Sequence, residues 1–144
     1  MATACSHVTR LIIVTSIGDP ARKDAVRFAA SLVPNCPPTA NDDANSITED
    51  AVPDAVFGNV FANDSDPDGD PLSITSVEAP QYGFFSINNA NGSYSYTLDN
   101  TNLAFETLDD GETLLESIEY EVSDGHGGTD TATLMITIHG ATDP

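Results

Sequence analysis

Residues 114–140 read LLESIEYEVSDGHGGTDTATLMITIHG. Ile118, Tyr120 and Val122 fall on one side of an extended chain. Leu134, Ile136 and Ile138 repeat the pattern, with Thr133, Met135 and Thr137 opposite. Successive side chains of a strand point to opposite faces, so a period of two means a strand with one buried face. Between the runs, Asp124-Gly125 and Gly127-Gly128 supply turn residues, because glycine reaches positive φ without steric cost. The spacing predicts strands over 114–123 and 130–139.

The same period extends backwards. Tyr94, Tyr96 and Leu98 share a face, and Asn91-Gly92 and Asp110-Gly111 mark turns. Further strands are expected near 44–49, 56–62, 71–78, 83–88 and 93–98. Seven short alternating strands in about 100 residues predict an all-β fold, a seven-stranded antiparallel β-sandwich of immunoglobulin or cadherin type. Before Pro37-Pro38 the pattern differs. LIIV at 11–14 suits a short strand. Asp19 suits a helix N-cap with Pro20 at the first helical position, and Ala25, Phe28, Ala29 and Leu32 repeat at helical spacing until Pro34. We therefore divide the chain into a short N-terminal extension, 1–36, with a strand and a helix but no assigned role, and a β module, 37–144.

The charge divides at the same place. Of the 23 acidic residues only Asp19 and Asp24 precede residue 37, whereas all 4 basic residues do. The module has no lysine or arginine, so its carboxylates cannot pair with protein cations other than histidine, and their repulsion weakens the compact state. Its regular Ile, Val, Leu, Phe and Tyr runs argue against disorder. A folded domain that binds divalent cations is the consistent reading. Nucleic acid and anionic membranes are disfavoured as partners of the module, because phosphate-neutralising residues are missing from it. Both cysteines, Cys5 and Cys36, lie in the extension, so core packing and metal are expected to hold the module, not disulfides. No apolar run approaches the roughly 20 residues of a membrane span.

The acids concentrate in Asn63-Asp64-Ser65-Asp66-Pro67-Asp68-Gly69-Asp70. Carboxylates at every second position of a turning loop can face one point, and calcium takes six to eight oxygen ligands in flexible geometry. A solvated acidic turn is the plain alternative, weakened by the missing basic residues. An EF-hand is rejected, since no closing Glu follows and strands flank the loop. With strands alternating in direction, the loops after the second, fourth and sixth strands return to the pole where the first begins. Asp42, Asp43, Asp64, Asp66, Asp68, Asp70, Asp124 and also Asp130 would gather there. Glu49, Asp50, the acids of 99–113 and Asp143 would lie at the opposite pole. The candidate metal ligands are Asp42, Asp43, Glu49, Asp64, Asp66, Asp68, Asp70 and Asp124, with Ca2+ as the ion.

Other chemistry finds little support. His126 has one other module histidine, His139, and no cysteine beside it, so it reads as an exposed loop residue, not a zinc ligand. The serines lack a G-x-S-x-G setting. Carboxylate pairs for glycoside hydrolysis are available, but there is no Trp to line a sugar cleft. We expect no enzyme. A glycan- or protein-recognition module, using Tyr82, Tyr94 and Tyr96 or an edge strand, is the alternative function; an accessory domain of a secreted hydrolase is a third.

The segment from Tyr82 to Asp143 resembles a VCBS repeat. The matching motifs are Tyr82-Gly83, Asn91-Gly92-Ser93-Tyr94, Tyr96-Thr97-Leu98-Asp99-Asn100, Gly111-Glu112-Thr113-Leu114 and Ser123-Asp124-Gly125. The preceding segment, with PPTANDD and GNVFANDSDPDGDPLSITSV, is similar to bacterial cadherin-like repeats. Together they cover the chain from Pro37 onward; residues 1–36 do not fit. The resemblance implies a β-sandwich repeated in large secreted or surface-anchored bacterial proteins, many of them adhesins. Neighbouring tandem repeats are the implied partners, along with a cell-surface protein or glycan. It implicates Asp43, Asp64, Asp66, Asp68 and Asp70 in calcium binding, and Ala141-Thr142-Asp143-Pro144 resembles the junction into a following repeat.

Overall fold

The computed structural model describes residues 8–12, 31–104 and 107–142. Strands β1 (Val8–Ile12) and β2 (Ser31–Asn35) form an antiparallel two-stranded ribbon. β1 covers Leu11 and Ile12 of the expected strand; Ile13 and Val14 lie outside the described residues. The helix expected from Asp19 to Leu32 also falls outside them as far as Ala30. Ser31 and Leu32 stand in β2 instead, so the helical spacing misled at its end.

All seven strands expected in the module are present: β3 (Asp43–Thr48), β4 (Ala55–Asn59), β5 (Ser73–Val77), β6 (Gly83–Ile87), β7 (Ser93–Leu98), β8 (Thr113–Ser123) and β9 (Thr129–His139). The expected 56–62 strand ends at Asn59. There the Asn59 side chain accepts the Phe61 amide at 2.8 Å and caps a single 3-10 turn, Val60–Ala62. Local capping by an asparagine competes with the ladder. The strands build a four-stranded sheet, β3-β9-β8-β5, and a three-stranded sheet, β4-β7-β6. One pair departs from the antiparallel expectation: β3 runs parallel to β9, from Asp43 opposite Leu134 to Thr48 opposite His139. The first and seventh strands of an alternating set point the same way, so placing them side by side makes them parallel.

The period-two residues form the core. Ile118, Val122, Leu134, Ile136 and Ile138 have no solvent exposure, and Tyr96, Tyr120, Leu98, Ile47, Ile74 and Val60 join them. Tyr94 and Tyr96 point inward, which removes them as a sugar-stacking face. Two glycines make room for their rings. A Cβ on Gly58 would lie 2.5 Å from the Tyr94 hydroxyl, and one on Gly83 2.6 Å from Cζ of Tyr96. One carboxylate shares this interior. Glu116 precedes Ile118 and Tyr120 on the inner face of β8, and it accepts the amides of Gln81 and Tyr82 and the hydroxyl of Tyr96 at 2.7–3.0 Å. Those bonds offset its desolvation and tie the approach to β6 onto the opposing sheet.

Candidate metal centre

The strand directions bring the start of β3, the 60–72 connection, the 88–92 turn and the 124–128 turn to one end, the proximal pole. Thr39 bridges Ser65, and the Ile74 amide bonds the Asn89 carbonyl at 2.9 Å.

The loop between the 3-10 turn and β5 is shaped by its own aspartates. Oδ1 of Asp66 accepts the amides of Asp68 at 2.8 Å and Asp70 at 3.1 Å. Gly69 takes φ +77, a left-handed conformation that glycine adopts without a Cβ penalty. The loop therefore curls around Asp66, and oxygens of Asp66, Asp68 and Asp70 come within 4.8 Å of one another. The other Asp66 oxygen, Oδ2, is buried without a hydrogen-bond partner. Asp70 is buried, and its Oδ2 lies 3.1 Å from Nδ1 of His126. His126 is thus half exposed, as expected of a loop histidine, but it faces the acids.

A second group surrounds Asn41 and Tyr120. Asp64 accepts the Asn41 amide at 2.8 Å through Oδ1, while its Oδ2 is buried without a partner. Asp43 accepts the Tyr120 hydroxyl at 2.7 Å, Asp42 the Thr133 amide at 2.9 Å, and Asp130 the Ala40 amide at 2.8 Å. Burial pushes the carboxyls of Asp43 and Asp64 above the usual range. The charge of Asp42 adds to the first shift, and those of Asp43 and Asp130 to the second; the bonds from Tyr120 and Asn41 oppose them.

The remaining two candidates are placed differently. Asp124 is fully buried, and both of its oxygens are engaged: Oδ2 accepts Nδ2 of Asn35 at 2.7 Å, and Oδ1 the amides of His126 and Gly128 at 2.7 and 2.9 Å. Burial raises its pKa, but these bonds together outweigh that and leave it lowered. Asp124 builds its turn and stands outside the group of three. Glu49 lies at the distal pole, buried, with Oε1 accepting the Ala141 amide at 2.6 Å. Sequence reading did not single out Asn35 or Glu116. Glu116 was detectable as a carboxylate in register with Ile118, Tyr120 and Val122; Asn35 carried no local signal.

The donor set suits a hard divalent cation. Three convergent carboxylates, one with a buried oxygen lacking a proton donor, offer oxygen ligands of the kind calcium takes. Among the described residues Asp66, Asp68 and Asp70 are the one group of this kind.

An all-β fold of two packed sheets with an acidic pole defines the class: a cadherin-like β-sandwich module. The profile of the bacterial cadherin-like domain matches residues 35–140, and the chain belongs to that family. No curated protein matches it. Among solved structures, it is similar to a nucleoside hydrolase-related hypothetical protein from Saccharophagus degradans that is associated with carbohydrate metabolism, at 17% identity and TM-score 0.46. That likeness covers 75% of this chain and 26% of the other, so this chain spans about a quarter of that protein. No helix among the described residues is long and apolar enough to cross a membrane.

Proposed function

We propose that this domain is a calcium-binding structural repeat of a large secreted or surface-exposed bacterial protein of the adhesin type. In that setting it would stand between neighbouring repeats and support cell adhesion by spacing and stiffening the chain. The observation that carries the reading is the convergence of Asp66, Asp68 and Asp70 in a module without lysine or arginine. Asp64, with its buried unpaired oxygen, and Asp43 and Asp42 beside it extend the acidic surface available to ions. Bound calcium would neutralise the loop, supply the positive partner that Asp66 Oδ2 lacks, and add its binding free energy to folding. Asp68 also accepts the Cys36 amide at 2.6 Å, so an ion held there would stiffen the approach to β3. Glu49 and Asp124 serve in this reading as supports of the outgoing segment and the 124–128 turn.

The test is thermal melting of the whole chain in millimolar calcium and in chelator. We expect calcium to raise the melting temperature of the wild type and to have little effect on the Asp66→Asn/Asp68→Asn variant. Superimposable wild-type curves in the two conditions would refute the proposal.

A further inference from the structure

We propose that the outer face of the three-stranded sheet binds a neutral polysaccharide. Because Tyr94, Tyr96 and Leu98 of β7 point inward, Ser95 and Thr97 point outward. The register sets Phe57, Ser95 and Ser86 in one row across the sheet, and Thr97 and Phe84 in the next. The two phenylalanines stand on the two edge strands and expose 71% and 64% of their surface. From strand spacings they lie about 12 Å apart, one on each side of β7 and one row apart. Phe57, Ser86, Ser95, Ser93 and Asn88 line a surface depression of ≈ 570 Å³. Small-ligand sites have volumes of roughly 300–1,000 Å³. The hydroxyls of Ser86 and Ser95 make no hydrogen bond among the described residues, so both are open to a ligand.

The charge of this face selects the occupant. The chain carries a net charge of -19, yet no acidic residue lines the depression or stands in these rows. No carboxylate stands here to hold a cation, and the surrounding negative field repels anions. It also repels a second copy of the same chain. What remains is an uncharged ligand with apolar faces for the two rings and hydroxyls for Ser86, Ser95 and Asn88, which describes the two sides of a sugar ring. The ring separation calls for an oligosaccharide stretch, not a single sugar. This inference is independent of calcium, since none of these residues is a carboxylate or a candidate metal ligand.

Affinity electrophoresis of the whole chain in calcium, through gels containing mixed-linkage β-glucan, xyloglucan or galactomannan, tests it, with polygalacturonate as the charged control. We expect at least one neutral polymer to retard the chain. Phe57→Ala and Phe84→Ala should each weaken binding about tenfold, and the double variant should abolish it. Because both rings are exposed, melting temperature and calcium response should stay at wild-type values, separating lost binding from lost folding. Failure of all three neutral polymers to retard the wild type overturns the proposal. So does equal retardation of the double variant, or retardation by polygalacturonate alone. A wild-type dimer that the double variant dissolves, seen by sedimentation without any retardation, would assign the face to a second copy instead.

Discussion

Both poles of the sandwich are acidic, but their carboxylates are used in different ways. At the distal pole, the described bonds are consumed in shaping and fastening the backbone. Glu112 accepts the Asp109 amide at 2.9 Å, Asp54 accepts Nδ2 of Asn100 at 2.9 Å, and Glu49 holds the Ala141 amide. The Gly140 amide bonds the Glu112 carbonyl at 2.9 Å, so the outgoing chain is fastened twice. At the proximal pole, Asp66 uses one oxygen to fold its loop and leaves the other buried and unpaired, as Asp64 does. Acid content alone does not make a cation site. What distinguishes the proximal pole is convergence, with oxygens left over after the backbone has been satisfied.

The largest expected effect inverts sign. In calcium, Asp66→Asn/Asp68→Asn should destabilise the chain by about 3 kcal/mol, the linkage lost near hundredfold saturation. In chelator the same variant should melt higher than the wild type, because two repelling charges are gone. A uniform loss in both conditions, read by chemical denaturation, would mean that these aspartates are only structural.

A smaller effect isolates the distal pole. Glu49→Ala leaves the Ala141 amide without its acceptor and should cost about 2 kcal/mol in calcium and chelator alike. If its cost depends on calcium, the contrast between the poles fails.

The loop's backbone offers the next test. Gly69→Ala adds a Cβ that meets nothing within 4 Å, but at φ +77 it should cost about 1–2 kcal/mol, a strain readable as a lower melting temperature in chelator. Unchanged stability would show that the loop has no need of this conformation.

The weakest effect is the dependence on pH. Asp43 and Asp64 have folded pKa values raised above 3.8. Their protonation favours the folded state, so this contribution is full below 3.8 and is lost as pH rises through the folded values. Asp124, with a lowered pKa, contributes stability above 3.8 that is lost as pH falls through its folded value. In chelator, stability should therefore increase from neutral pH into the carboxylate range and decline under stronger acid. Calcium should flatten the rise by holding the carboxylates ionised. A steady fall from pH 7 downward in chelator would contradict the assignment.

Much of this was legible in the sequence, for reasons that differ from residue to residue. Strands β7, β8 and β9 alternate cleanly because one face of each is buried, and Tyr94, Ile118 and Leu134 report it directly. The gathering of Asp42, Asp43, Asp64 and Asp66–Asp70 at one pole followed from strand directions alone, without knowing which strands pair. Pairing was harder to read. That β3 lies beside β9 depends on sheet order, which no local pattern encodes. The division of the acids into users and spare donors also escaped the sequence. Asp124 and Asp66 each fold a glycine-containing turn by accepting two amides through Oδ1, and only the arrival of the Asn35 side chain, 89 positions away, engages the second oxygen of Asp124. The tyrosines of β7 share a face as expected, but whether that face was inner or outer rested on Gly58 and Gly83.

The parallel β3–β9 ladder has a mechanical corollary. The chain passes into the sandwich at one end of β3 and out of it at the far end of β9, so tension along the molecule draws these neighbours in opposite directions. Its six rungs, from Asp43–Leu134 to Thr48–His139, then share the load in shear instead of peeling apart one after another. Rupture requires them to fail together, which makes this seam the mechanical fuse of the module.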